Sequence, residues 1–169
     1  MPETDTTLGG ARRLPWRTAE VRDVIDETPR VRSLYLSVPG WPSHRSGQHL
    51  DVRLTAEDGY QAQRSYSIAS APEAPQLALT VEVIDDGEVS PYLAREARAG
   101  DRFEVRGPIG GYFVWTAALG GPLFLIAGGS GIAPLMAMLR HRAASPTSSI
   151  AKSSINWPLP VMGRGSFTP

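Results

Sequence analysis

The chain has 169 residues, 41% hydrophobic and 20% charged, with 17 Lys and Arg balanced by 17 Asp and Glu. This length suits one domain, or one domain and part of a second, with enough apolar residues for a packed core. Because the formal charges cancel, no basic field spans the chain, and nucleic acid is not an expected partner. The absence of cysteine excludes disulfides, iron–sulfur clusters ligated by this chain and cysteine nucleophiles, and the three scattered histidines indicate no metal site.

The first ten residues carry Glu3 and Asp5 where a secretion signal would have a basic segment followed by an apolar run. We therefore expect a cytoplasmic protein. Residues 122–139 form an uncharged stretch of 18 residues, the lower limit for a membrane-spanning helix. Glycines and prolines punctuate this stretch as they do a strand, a turn and a helix, so no membrane contact is expected.

Up to about residue 106, short runs of alternating apolar and polar residues are separated by turn-forming pairs such as Pro39-Gly40 and Asp58-Gly59. Alternation of this kind is the period of half-buried strands. Strands are expected near residues 17–24, 33–38, 49–54, 62–69, 76–83 and 103–105. Six strands at this regular spacing predict an antiparallel barrel or sandwich.

One short helix is predicted between the last two strands, over residues 92–97. Ser90 is a suitable N-cap, Pro91 suits the first helical position, and Gly100 ends the helix. The amino end of such a helix attracts anions, phosphates in particular. On these residues alone, a surface helix that is merely capped by Ser90 is the favoured interpretation.

The chain changes character after Gly107-Pro108. Residues 122–127 form an unbroken apolar run, followed by Gly128-Gly-Ser-Gly131 and a predicted helix over 133–142. A buried parallel strand that leads through a glycine turn into a helix begins a βα unit, so a second, α/β domain is expected to start near residue 120. Residues 143–169 contain six Ser and four Pro without a clear period, which predicts a flexible tail.

Two segments carry residues suited to a nucleotide. Arg64 and Tyr66 would share one face of a strand, where an arginine clamps a phosphate and a tyrosine lies against a planar ring. The glycines at 128–131 would let a backbone approach a pyrophosphate at the start of a helix. Pro134 stands where the regular dinucleotide fingerprint has its third glycine or alanine. Each segment alone also fits a structural role.

Taken in order, four motifs resemble those of the ferredoxin–NADP⁺ reductase-like superfamily of flavin oxidoreductases, whose members have an FR-type FAD-binding domain. They are Arg64-Ser-Tyr-Ser-x-x-Ser70, Gly87-Glu-Val-Ser90, Gly107-Pro-x-Gly110 and Gly128-Gly-Ser-Gly-Ile-Ala-Pro134, with Gly47-Gln48 as a further shared element. The resemblance implies a mainly β fold. It comprises a six-stranded antiparallel Greek-key flavin-binding barrel with one short helix, followed by an incomplete α/β nucleotide-binding domain.

The resemblance also implies roles for individual residues. Arg64 would contact the phosphates of FAD, Tyr66 would pack beside the isoalloxazine ring, and Ser67 would bond near the flavin N5. Two further groups are implied: Gly87, Val89 and Ser90 for the flavin pyrophosphate, and Gly129, Ser130, Gly131 and Pro134 for NAD(P)H. No side chain is required as a catalytic acid or base. Electrons would leave to an acceptor protein such as a ferredoxin or an oxygenase component.

Members of this superfamily continue for roughly a hundred residues beyond Arg142, so the second domain looks truncated by comparison. The predicted organisation is a barrel domain at 15–118, the start of an NAD(P)-binding domain at 119–142 and a tail at 143–169. The leading hypothesis is an FAD-dependent NAD(P)H oxidoreductase impaired by truncation. The alternatives are a flavin-binding barrel without turnover, and a barrel for an unrelated small ligand in which Arg64 and Tyr66 are structural.

Overall fold

The computed structural model of the protein describes residues 14–145. Six strands precede the main helix: β1 (Arg17–Thr28), β2 (Val31–Ser37), β3 (His49–Thr55), β4 (Gln61–Ser67), β5 (Leu77–Glu82) and β6 (Arg102–Ile109). A short helix of the π type, Tyr92–Glu96, lies between β5 and β6, and helix α1 spans Ile132–Ala144. Short 3-10 turns at Ala117–Leu119 and Gly129–Gly131 complete the described elements.

All six strands belong to one antiparallel sheet in the order β4-β3-β6-β1-β2-β5. The two outer strands, β4 and β5, approach each other where an isolated bridge joins Ile68 to Leu79. The Ala69 amide also donates to the Ala78 carbonyl oxygen at 2.8 Å. The sheet therefore curls on itself and its edges meet at one end. This confirms the predicted fold class of a mainly β, six-stranded antiparallel domain.

The core lies inside the curled sheet and follows the alternation seen in the sequence. Leu50 and Val52 of β3 are fully buried, while Arg53 reaches the outer face and pairs there with Glu104 of β6. Leu93 of the short helix is also fully buried and packs in the same cluster. Burial of large aliphatic side chains of this kind contributes about 1.5–3 kcal/mol each. The short helix thus closes one side of the core.

Helix α1 packs directly against the curled sheet. Ala133 is buried against Ala69 and Ala78, next to the meeting point of β4 and β5. Farther along the helix, the Arg140 guanidinium donates to the Ala69 carbonyl oxygen at 2.6 Å, and the Ser46 hydroxyl donates to the Ala137 carbonyl oxygen at 3.1 Å. Helix α1 extends two residues beyond the predicted end at Arg142.

The prediction of a buried parallel strand at 122–127 is wrong. This segment pairs with no strand in the described range, and Phe124 and Ile126 are 84% and 93% exposed. An apolar segment of this kind is buried only when neighbouring strands flank it, and residues 14–145 supply none. The predicted tail at 143–169 lies outside the described residues from residue 146 onward.

No helix within residues 14–145 has the length and apolar character needed to cross a bilayer.

Candidate functional site

An opening separates β4 from β5 away from their single point of contact. β4 is an outer strand whose only ladder in the described chain is with β3, so one edge of its backbone faces this opening. An unpaired strand edge presents N–H and C=O groups that need partners. Arg64 and Tyr66 lie on this strand, as the sequence predicts.

Arg64 crosses the opening to the loop that follows β5. Its Nη2 atom lies 3.3 Å from Oε2 of Glu88, and the two side chains are 56% and 45% exposed. Arg64 also donates from Nη1 to the carbonyl oxygen of Gln63 at 2.7 Å. The guanidinium is therefore accessible to solvent and lies beside the loop that carries the Gly87-Glu-Val-Ser90 motif.

Tyr66 lies two residues beyond Arg64, on the same face of β4 as the buried Ala62 and Ile68. Its half-buried ring packs against the core cluster. Burial raises the pKa of Tyr66 to about 12, although the nearby Arg64 charge acts in the opposite direction. The phenol therefore stays protonated at neutral pH and remains a hydrogen-bond donor.

Ser65 and Ser67 point to the other face of β4. The Ser65 hydroxyl donates to Oδ1 of Asp51 at 2.6 Å, and Arg106 donates to Oδ2 of the same carboxylate at 2.6 Å. Ser67 is half-buried and pairs with His49 of β3 in the ladder. Ser67 therefore stands at the end of β4, next to the place where the strand meets β5.

The loop after β5 is tightly wound. The Gly87 amide donates to the Ile84 carbonyl oxygen at 2.9 Å. A Cβ atom on Gly87 would lie 2.9 Å from the Ser90 hydroxyl and 3.0 Å from that same carbonyl oxygen. Gly87 is thus required by the close packing of its own loop. Val89 is fully buried and anchors the loop in the core.

The prediction that Ser90 caps the short helix is wrong. The Ser90 hydroxyl accepts from the Ile84 amide at 3.1 Å and bonds back across the loop, and no side chain caps the helix. The loop between Ile84 and Ser90 closes on itself, so the hydroxyl is used there. The helix Tyr92–Glu96 has only five residues, and so its dipole contributes little to anion binding.

The second predicted group lies at the start of α1. Gly129 has a φ of +54°, which glycine adopts without strain, and the Gly129–Gly131 turn runs directly into the helix. Gly129, Ser130 and Gly131 are exposed, whereas Pro134, in the first turn of α1, is buried. Because Ala133 packs on Ala69, this turn is carried close to the end of β4.

The structure therefore brings Arg64 to the 87–90 loop and brings the glycine turn to the end of the same strand. Sequence analysis missed two residues at this site, Tyr60 and Glu88. The Tyr60 hydroxyl donates to Oε1 of Glu88, and this contact raises the pKa of Tyr60. In the sequence, only the position of Glu88 directly after Gly87 could have indicated that Glu88 belongs to this site.

The residues of this site match the chemistry of a flavin nucleotide. The unpaired edge of β4 and the half-buried Tyr66 suit a planar ring with polar edges. The exposed guanidinium of Arg64 suits a diphosphate. The loop carries a glycine, Gly87, at a position where a Cβ atom would meet Ser90 and Ile84. The residues present fit the group.

Comparison with known proteins decides the family. The sequence model of the family described as "Oxidoreductase FAD-binding domain" matches residues 20–114, more than half of the chain. The chain belongs to this FAD-binding family. The match covers β2 to β6 completely and most of β1, and it ends before the glycine turn of α1.

Similar curated proteins include components of monooxygenases. Methane monooxygenase component C of Methylosinus trichosporium is 35% identical over 103 residues, which cover 60% of this chain and 29% of that protein. The ferredoxin reductase component of 3-ketosteroid-9-alpha-monooxygenase from Mycobacterium tuberculosis is 34% identical over 136 residues, covering 74% of this chain and 37% of that protein. The chain thus spans about a third of the length of such relatives.

Solved structures agree with this assignment. The Amycolatopsis cytochrome P450 reductase GcoB has a TM-score of 0.65 at 31% identity, over 75% of this chain and 38% of that one. A ferredoxin NADP⁺ reductase from Neisseria gonorrhoeae, solved with bound FAD and NADP, has a TM-score of 0.56 at 23% identity. It covers 73% of this chain and 50% of that one, and at this identity it supports the fold alone.

Proposed function

We propose that this FAD-binding chain is the flavin module of an oxidoreductase that takes hydride from NAD(P)H and passes electrons to an acceptor. The observation that carries the proposal is the approach of Arg64 to the 87–90 loop across the opening between β4 and β5. Two motifs 24 residues apart in sequence are thereby brought together beside the edge of β4 that has no ladder partner within residues 14–145.

In this proposal the residues of β4 hold the flavin. Arg64 binds the diphosphate through charge-assisted hydrogen bonds, Tyr66 lies beside the isoalloxazine ring, and Ser67 bonds near N5. Gly87, Val89 and Ser90 shape the loop that receives the diphosphate. Because the pKa of Tyr66 is raised to about 12, its hydroxyl can donate a hydrogen bond to the cofactor throughout the physiological range.

The glycine turn supplies the nicotinamide side. Gly129, Ser130 and Gly131 are exposed at the start of α1 and would receive the NAD(P)H pyrophosphate, with Pro134 fixing the first turn of the helix. When bound, FAD supplies the hydride and electron-transfer chemistry. The chain itself orients two rings and limits the access of water.

The domain division proposed from the sequence goes with this function: a flavin barrel at 15–118 and the beginning of a nicotinamide-nucleotide domain at 119–142. The acceptor would be a ferredoxin or an oxygenase component, which is supported by the monooxygenase components among the relatives. The cytoplasm is the proposed location.

A flavin-binding module without turnover is the second candidate. The specific observation in its favour is the exposure of Phe124 and Ile126 in a segment that pairs with no other strand within residues 14–145. A parallel sheet built on that segment would need strands from elsewhere.

The visible spectrum of the purified 169-residue chain separates these candidates when NADH or NADPH is added without oxygen. A yellow protein that loses its colour supports the oxidoreductase, and a yellow protein that keeps its colour supports the binding module. A colourless protein that takes up no added FAD contradicts both.

A further inference from the structure

Glu88 is held from two sides at the place proposed for the flavin diphosphate. The Tyr60 hydroxyl donates to Oε1, and Nη2 of Arg64 lies 3.3 Å from Oε2. Glu88 is also the residue directly after Gly87 in the loop motif. A carboxylate and a phosphate seek the same guanidinium, because both are oxygen anions that accept charge-assisted hydrogen bonds.

We propose that Glu88 is an internal counter-ion of Arg64 that competes with the FAD diphosphate and limits the affinity of this chain for FAD. The inference rests on the proposed function. For the diphosphate to reach Arg64, the Glu88 carboxylate has to leave the guanidinium. The displaced carboxylate of Glu88 then stays close to the two phosphates, and its repulsion of them also weakens FAD binding.

Tyr60 is the second part of this arrangement. Its hydroxyl bonds the other carboxylate oxygen of Glu88 and so helps to hold Glu88 beside Arg64. Tyr60 and Glu88 both line a pocket of about 510 Å³ that continues past Thr55 and Tyr92. This pocket gives the displaced carboxylate room to turn away from Arg64.

The exposure of Arg64 and Glu88 to solvent limits how much their pairing can change the affinity for FAD. The side chains of Arg64 and Glu88 are 56% and 45% exposed, so solvent screens their attraction. We therefore expect Glu88→Gln to tighten FAD binding by about three- to tenfold, as suits a screened ion pair. Tyr60→Phe should tighten it by a smaller factor of about two, since the carboxylate loses one of its two partners.

The test measures FAD dissociation constants of the full chain by quenching of flavin fluorescence. Glu96→Gln is the matched control, because it removes one exposed carboxylate from the neighbouring short helix without touching Arg64. The inference predicts tighter binding for Glu88→Gln and Glu88→Ala, and unchanged binding for Glu96→Gln. Thermal unfolding followed by circular dichroism verifies that each variant is folded.

A double-variant cycle separates competition for Arg64 from a general charge effect. In an Arg64→Ala background the gain from Glu88→Gln should shrink, since no guanidinium remains to be released. A gain that persists at full size would overturn the inference, as would FAD binding equal to or weaker than wild type in both Glu88 variants. If neither the wild type nor any variant binds FAD, the proposed function itself is wrong.

Discussion

Gly47 lies so close to the backbone of Phe113 that a Cβ atom on it would stand 1.8 Å from the Phe113 carbonyl oxygen. The same atom would approach Cε of Met138 in α1 to 2.9 Å, and Gly47 has a φ of +98°. Next to it, the buried Gln48 donates to the Gly110 carbonyl oxygen at 2.7 Å. Three distant segments therefore meet at this glycine, which explains why no other residue suits the Gly47-Gln48 element.

Gly47→Ala should lower the free energy of unfolding by about 2–4 kcal/mol, because backbone strain adds to overpacking. The matched control is Gly59→Ala, where φ is +87° but no atom lies within 4 Å of the new Cβ. That control should lose only about 1 kcal/mol, the cost of the backbone conformation alone. Urea unfolding followed by circular dichroism measures both losses, and equal losses would contradict the tight contact at Phe113.

His44 predicts a dependence of stability on pH. Burial lowers the pKa of His44 below its ordinary value of 6.5, although its Nε2 donates to the Ser70 carbonyl oxygen at 3.2 Å and Glu73 lies nearby. The unfolded chain therefore binds this proton more readily than the folded one. The stability due to neutral His44 is complete above pH 6.5 and is lost as the pH falls from there towards the lowered pKa.

Substitution isolates this contribution. The free energy of unfolding of His44→Gln should fall less steeply than that of wild type as the pH is lowered below 6.5, because the variant has no proton to take up at this position. Denaturant unfolding at several pH values measures the two slopes. Identical slopes for wild type and variant would show that His44 does not titrate differently in the folded chain.

Trp16 lies directly before β1 and contacts two arginines of the sheet. The guanidinium of Arg53 lies 4.1 Å from the centroid of this ring, and that of Arg106 lies 4.6 Å from it. Trp16→Leu keeps an apolar side chain but removes both cation–π contacts, so it should cost about 1–2 kcal/mol of unfolding free energy. Trp16→Phe should lose less. A loss of equal size in both variants would indicate that only buried area matters at this position.

The exposed apolar segment at 122–127 predicts self-association. Phe124 and Ile126 are 84% and 93% exposed, and an apolar segment that pairs with no strand within residues 14–145 can associate with another chain. The double variant Phe124→Ser, Ile126→Ser should reduce light scattering of concentrated protein while leaving FAD affinity unchanged. Scattering that does not change on substitution would show that these side chains do not mediate association.

Much of the fold could be predicted because its signal is local. The alternation of Leu50 and Val52 with Asp51 and Arg53 predicts which face of β3 lies in the core, and in β6 the buried Phe103 and Val105 alternate in the same way. The order of the nucleotide-binding motifs was likewise readable from the chain.

The errors arose where the outcome depends on distant partners. An apolar run at 122–127 has the composition of a buried strand, but burial requires neighbours that residues 14–145 do not contain. Ser90 has the right type and spacing for a helix cap, but the loop turns its hydroxyl towards Ile84. The pairing of Glu88 with Arg64 joins the loop after β5 to β4, and no periodicity in the sequence indicates such a contact.

The central claim is that Arg64 and the 87–90 loop form one FAD-binding site, and a titration of FAD into wild type and Arg64→Ala tests it most directly. Loss of charge-assisted phosphate bonds, each about 1.5–3 kcal/mol, predicts affinity about ten- to a hundredfold weaker in the variant. Arg64→Lys should fall between the two, since it keeps the charge and loses the fork. Equal FAD affinity in wild type and Arg64→Ala, with both proteins folded, would contradict the account.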